Sequence, residues 1–92
     1  MRVSSSRCWA LENYNPIPGV MENVPASRDY DKGFDCVLML KDMVLASELA
    51  GQVGSHLNLG DKAREVYEKM TKIGYAKKDM SSVYDALLKH KI

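Results

Sequence analysis

The side chains with chemical reach gather in one stretch, Gly33-Phe34-Asp35-Cys36-Val37-Leu38-Met39-Leu40-Lys41-Asp42-Met43-Val44-Leu45-Ala46. Read as a helix, it is apolar around most of its circumference, and such a helix expects burial. Lys41 and Asp42 stand side by side near its middle. Charge in such a place costs several kcal/mol per ion unless it is paired or meets a ligand. The two charges are therefore either a structural accommodation or a binding device. Lys41 is the one candidate base with an apolar setting. A single lysine does not assemble a hydride-transfer or acid/base site, so no catalytic residue is assigned.

The other reactive groups point nowhere together. Cys8 and Cys36 are far apart and match no metal spacing, so two reduced thiols in an intracellular protein are expected. His56 and His90 lack ligand-like companions, and no metal site is expected. The formal net charge is +1. That speaks against a nucleic-acid partner, which calls for a clustered basic excess. No apolar run approaches the roughly 18 residues of a membrane span.

These groups must be positioned by a small scaffold. Ninety-two residues make at most one small domain. A chain of this size buries only about 60–65% of its unfolded surface. The Ser- and Arg-rich start superficially suits a transit peptide, but it is short, and Cys8-Trp9-Ala10-Leu11 continues like folded sequence. The reading is a chain that begins inside a larger structure. There is no Asn-x-Ser/Thr sequon to support secretion.

The pattern predicts an all-α fold of about three to four helices with a long Pro-containing loop. A helix end runs over about residues 4–14, anchored by Trp9 and stopped by Asn15-Pro16-Ile17-Pro18-Gly19. Trp9 and this loop read either as a rigid corner against the main helix or as a partner surface. Residues 20–32 read as an irregular connection, long for a compact domain. The main helix is expected over about 33–50, broken by Gly51 and Gly54. A third helix is expected with a cap at Ser55, or a later start at Gly60-Asp61. Its apolar positions are Leu59, Ala63, Val66, Tyr67, Met70 and Ile73, and Gly74 stops it. The last helix takes Asp79 as cap and places Met80, Val83, Tyr84, Leu87 and Leu88 on one face. So few helices cover about half of the main helix, which implies further partners for the rest.

Several motifs, in order and at matching spacing, carry a resemblance. They are Arg7-Cys8-Trp9, Tyr14-Asn15-Pro16-Ile17-Pro18-Gly19-Val20-Met21, Val24-Pro25-Ala26-Ser27, Gly33-Phe34, Leu38-Met39-Leu40-Lys41-Asp42, Val66-Tyr67, Gly74-Tyr75 and Lys77-Lys78-Asp79-Met80-Ser81-Ser82-Val83. Over nearly all 92 residues the chain resembles the C-terminal part of the 3-hydroxyisobutyrate dehydrogenases. These belong to the β-hydroxyacid dehydrogenases, whose C-terminal domain is similar to that of 6-phosphogluconate dehydrogenase.

The resemblance implies a two-domain enzyme. A Rossmann domain binds the dinucleotide through a glycine-rich turn. A long helix carries the catalytic lysine, and a helical C-terminal domain closes the cleft. The implied reaction is NAD-dependent oxidation of 3-hydroxyisobutyrate to methylmalonate semialdehyde in valine breakdown, mitochondrial in animals. Lys41 matches the lysine that contacts the cofactor on its nicotinamide side. Phe34 matches an aromatic wall of the substrate pocket. Asp42 matches the acidic neighbour at that pocket, placed to hold Lys41 or the local backbone.

The sequence departs from the family at His56, where members tend to have proline at a helix start. Residues 1–92 also hold no GxGxxG turn, no βαβ unit and no catalytic interdomain helix. The resemblance thus implies that residues 1–92 are an incomplete C-terminal helical domain, inactive and binding NAD poorly by itself. A second reading is a non-catalytic helical paralogue that binds a full-length subunit. A homo-oligomer is a further implication of the family. Beside these stand bland readings. Lys41 snorkels to water, Asp42 is a surface acid, and Phe34 is a core aromatic or hydrophobic staple. Lys77-Lys78-Asp79 is a solvated run before a capped helix.

Overall fold

The structure is a computed structural model that describes residue 5 and residues 7–92. Its elements are α1 (Trp9–Asn13), a 3-10 turn (Pro25–Arg28), α2 (Cys36–Gln52), α3 (Asn58–Lys72), a second 3-10 turn (Met80–Ser82) and α4 (Val83–Leu88). The all-α expectation holds among the described residues. Residues 4 and 6 of the expected first helix lie outside them, and α1 is only one short turn.

The main helix begins later than the sequence suggests, at Cys36 rather than near Gly33. The reason is a tertiary clamp. Phe34 donates its N–H to Asp79 Oδ1 at 2.6 Å, and its carbonyl accepts the Met80 N–H at 2.6 Å. Asp35 and Asp79 form an isolated antiparallel bridge. The Phe34 carbonyl, which would accept the Leu38 N–H if the helix began earlier, is taken by Met80, and the Leu38 N–H goes to the Asp35 carbonyl at 3.0 Å instead. The first turn of α2 is closed by the same segment, through Cys36 N–H to the Lys78 carbonyl (2.8 Å) and Val37 N–H to the Ala76 carbonyl (3.2 Å).

α2 and α3 pack against each other, and both stop at left-handed glycines, Gly54 and Gly74. At Gly74 the φ of 102° lets Tyr75 N–H return to the Met70 carbonyl, 3.0 Å away. α3 starts at Asn58, between the two sequence candidates. Ser55 does not cap it; its N–H bonds back to the Ala50 carbonyl at 2.8 Å. His56 therefore precedes the helix and is not its first residue.

The principal core joins Cys36, Tyr67, Met70, Tyr75 and Ala86, with Met39, Leu40, Met43, Val66, Met80 and Val83 packed around them. Two amphipathic expectations are corrected. The periodicity places Leu59 and Ile73 on the buried face of α3, yet Leu59 is 87% exposed in the first turn, where Asp61 makes the contact with α2, and Ile73 is exposed just past the last turn. On α4, Leu87 and Leu88 are exposed and Ala86 is the buried residue. The 3-10 turn over Met80–Ser82 delays the helix and rotates its face.

The long connection is less irregular than expected. Val24, Ala26 and Tyr30 form a second buried cluster with Met21 beside it. Tyr30 Oη donates to the Pro16 carbonyl at 2.8 Å, which ties the two proline turns together. Trp9 does not anchor a core. It is 65% exposed and stacks on Tyr14, with ring centroids 5.9 Å apart. The proline loop is held locally, by the Asn15 Oδ1 that accepts the Ile17 N–H at 2.9 Å and by Tyr30 on the Pro16 carbonyl.

Candidate functional site

The three sequence-predicted site residues lie along the start and exposed side of α2. Phe34 is half-buried just before the first turn. Lys41 and Asp42 are both exposed, and no ion pair joins either to another described residue. The expectation that the Lys41–Asp42 pair is buried is therefore corrected. α3 and the 75–86 segment cover only the side of α2 that carries Cys36, Met39, Leu40 and Met43. The opposite side is left to solvent.

Besides Lys41, Asp42 and Glu48, that open side carries apolar surface. Val37, Leu38, Leu45, Leu49 and Val53 are all exposed on it, Leu49 to 61%. At three- and four-residue spacing Lys41 falls between Val37 and Leu38 on one side and Leu45 on the other. Its ammonium thus rises from the middle of an apolar stripe. Contiguous apolar surface of this kind marks a face that meets another molecule or domain.

The chain's own groups fit a dinucleotide in one respect only. Lys41 offers an uncommitted cation with apolar surroundings. The N-terminus of α2, which could cradle a phosphate, has its N–H groups at Cys36 and Val37 taken by carbonyls of the 76–78 loop. A phosphate cradle would have to come from outside these residues. A cleft of about 270 Å³ at the α2–α3 turn is lined by Ser47, Ser55, His56 and Asp61 among others, and holds none of the three site residues. Ser47 Oγ donates to Asp61 Oδ1 there at 2.6 Å, which joins the two helices. No group of three or more His, Cys, Asp and Glu side chains suited to a metal ion occurs among the described residues.

Sequence reasoning missed how much is organised around Asp79, which it read only as a helix cap. The cap sits on the 3-10 turn Met80–Ser82 rather than on α4: Asp79 Oδ2 accepts the Ser81 N–H at 2.9 Å and also the Ser81 hydroxyl. Its Oδ1 accepts the Phe34 N–H and the Tyr14 hydroxyl. Asp79 is fully buried. Burial and the Asp79 carboxylate push the Tyr14 phenol up to about 12. The available signal was Gly33: a Cβ there would stand 2.7 Å from Asp79 Cγ and 2.8 Å from Pro25 Cγ.

A family model described as the NAD-binding part of NADP-dependent 3-hydroxyisobutyrate dehydrogenase matches residues 1–87. The chain belongs to the 3-hydroxyisobutyrate dehydrogenase family. It is 45% identical over 87 residues to the mitochondrial 3-hydroxyisobutyrate dehydrogenase of Bos taurus, a match that covers 95% of this chain and 26% of that protein. Against the mitochondrial enzyme of Drosophila melanogaster the identity is 47% over 88 residues, covering 96% and 27%. A solved structure of Mycobacterium tuberculosis 3-hydroxyisobutyrate dehydrogenase with L-serine superposes with a TM-score of 0.85 at 32% identity, covering 94% of this chain and 29% of that one. The chain therefore spans about a quarter of the length of the dehydrogenases it matches. The helical arrangement is that of the corresponding part of the mycobacterial enzyme.

Proposed function

We propose that these residues form the C-terminal, cleft-closing part of an NAD-dependent 3-hydroxyisobutyrate dehydrogenase, working in the mitochondrion on the valine degradation route. The observation that carries this reading is Lys41, exposed within the apolar stripe Val37, Leu38, Leu45 and Leu49 of α2. An isolated lysine on a polar surface needs no partner. A lysine set among exposed leucines suits a face that is covered in the complete enzyme, with its cation directed at the cofactor.

In that enzyme NAD supplies the acceptor for the hydride removed from the hydroxyacid carbon. The rest of the work belongs to protein groups. Lys41 binds the cofactor on its nicotinamide side as a positive point charge. Phe34 walls the substrate pocket at the mouth of α2. Asp42 orients Lys41 or the neighbouring backbone. The apolar stripe excludes water from the closed cleft, which strengthens each polar contact inside it. The proton-accepting lysine of the family lies outside these 92 residues.

The reading is tested in a full-length 3-hydroxyisobutyrate dehydrogenase that carries this segment in place of its own. Lys41→Ala raises the KM for NAD or lowers turnover, equivalent to about 2–4 kcal/mol of lost cofactor or transition-state interaction. Kinetics equal to those of the unaltered chimera would overturn the assignment.

A further inference from the structure

An ordinary helix cap needs one oxygen. Asp79 uses Oδ2 for that purpose, on the N–H and hydroxyl of Ser81. Its other oxygen is spent on a different part of the chain, where it takes the Phe34 N–H from 45 residues away and the Tyr14 hydroxyl. A fully buried carboxylate is tolerated only when such donors satisfy it, and among the described residues no lysine or arginine pairs with it.

The geometry around Phe34 is fixed from both sides. Asp79 Oδ1 holds its N–H at 2.6 Å, and the next residue's N–H, from Met80, holds its carbonyl at 2.6 Å. The approach is close enough that position 33 has no room for a side chain. Immediately upstream, Asp29, Tyr30 and Lys32 all stand in the left-handed region, with φ of 57°, 58° and 53°. A left-handed conformation is costly for a non-glycine residue and persists only where the surroundings over-determine it. Those surroundings are present. Asp79 N–H donates to the Tyr30 carbonyl at 2.7 Å, and Lys78 Nζ donates to the Asp29 carbonyl and carboxylate at 2.9 Å each. A strained approach, a glycine-only contact and a two-sided peptide clamp converge on one aromatic residue.

We propose that Asp79 is a positioning residue for the substrate pocket: through Oδ1 it clamps the Phe34 peptide and so sets where the Phe34 ring stands against a bound hydroxyacid. This rests on the placement of Phe34 in the substrate pocket given under Proposed function. Oδ1 serves the pocket and Oδ2 serves only the local turn. The two sides of one carboxylate can therefore be separated by substitution at their donors.

The test compares Tyr14→Phe, which removes a donor from the Oδ1 side, with Ser81→Ala, which removes one from the Oδ2 side. Both are made in the full-length chimera and in the 92-residue chain. Tyr14→Phe keeps the ring that stacks on Trp9. In the chimera, Tyr14→Phe raises the KM for the hydroxyacid and leaves the KM for NAD unchanged, and Ser81→Ala moves neither. Displacement of a positioned group reaches about a hundredfold in kcat/KM at the extreme. In the 92-residue chain, Tyr14→Phe accelerates hydrogen exchange of the Phe34 amide and Ser81→Ala does not. A double-mutant cycle of Tyr14→Phe with Phe34→Ala is non-additive in hydroxyacid KM.

Additivity in that cycle overturns the proposal. Equal effects of Tyr14→Phe and Ser81→Ala also overturn it, since they make Asp79 a general scaffold. If Phe34→Ala raises the KM but Tyr14→Phe alters neither KM nor Phe34 exchange, the positioning role fails and the pocket reading stands. If Phe34→Ala leaves the KM unchanged, the pocket reading itself falls and takes the positioning role with it.

Discussion

The Cys36 N–H is bonded to the carbonyl of Lys78, 2.8 Å away, so the first turn of the longest helix is closed by a loop from near the other end of the chain. The start of α2 is thereby a tertiary product. The bond also spends a donor that would otherwise be free for an anion, and it delivers Phe34 to the edge of the helix beside the Asp79 carboxylate.

The exposed stripe on α2 gives a context-dependent prediction. In the 92-residue chain, Leu45→Gln and Leu49→Gln change stability by no more than about 0.5 kcal/mol, because surface substitutions rarely do more. In the full-length chimera the same changes lower the melting temperature, since there the stripe is covered. Calorimetric scans of both proteins check this. Equal melting shifts in the two contexts would mean that the face stays uncovered.

Gly33→Ala destabilises the fold by about 1–3 kcal/mol through overpacking against Asp79 and Pro25. Its neighbour Asp79 is fully buried, so the clash cannot be relieved by swinging a side chain into water. Urea titration of the variant measures the loss. Gly51→Ala is the control: a Cβ there meets nothing within 4 Å, and helix propensity improves.

Met70→Ala costs about 2–5 kcal/mol, because the side chain is fully buried among Cys36, Tyr67, Tyr75 and Ala86. Leu59→Ala, on the stretch that sequence periodicity assigns to the same face, stays within about 0.5 kcal/mol because Leu59 is exposed. Urea midpoints of the two variants, measured together, report how far the α3 core extends.

Alkali weakens the fold. Burial pushes the Tyr67 phenol up to about 12, with the nearby Cys36 and Asp79 adding to the rise, and burial likewise raises the Cys36 thiol above its usual 9.0. The Tyr30 phenol is raised to about 12, again chiefly by burial. In the folded state these groups keep their protons where the unfolded chain releases them, so the unfolded state binds fewer. Their contribution is fully present below about pH 9 and declines as pH rises from there toward about 12. Urea midpoints taken across this range fall with pH, and the slope is shallower in Tyr67→Phe. A midpoint that stays flat to about pH 11 would contradict the assignment.

Acid acts on a different pair. The Tyr75 hydroxyl donates to Asp85 Oδ2 at 2.7 Å and, with Lys89 at 3.1 Å, holds the Asp85 carboxyl below its usual value of 3.8. That contribution is present above about pH 4 and is lost as pH falls through the lowered value. Asp85→Asn flattens the acid limb of the stability profile, and because the Asp85 carboxylate is the chief cause of the Tyr75 phenol's rise to about 12, it also makes the alkaline limb shallower.

The one-dimensional pattern determined the helical class, the stops at Gly54 and Gly74, the capping role of Asp79 and the motifs that carry the family. Each of these depends on backbone preference or local hydrogen bonding, which neighbours in sequence decide. Tertiary structure alone decided which side of α2 is covered, that Lys41 stands in an exposed apolar stripe, and that α2 waits until Cys36 to begin. It also decided that one Asp79 oxygen reaches back to Phe34. Those features are set by which segments meet across the chain, and a periodic pattern names an apolar face without naming what lies against it.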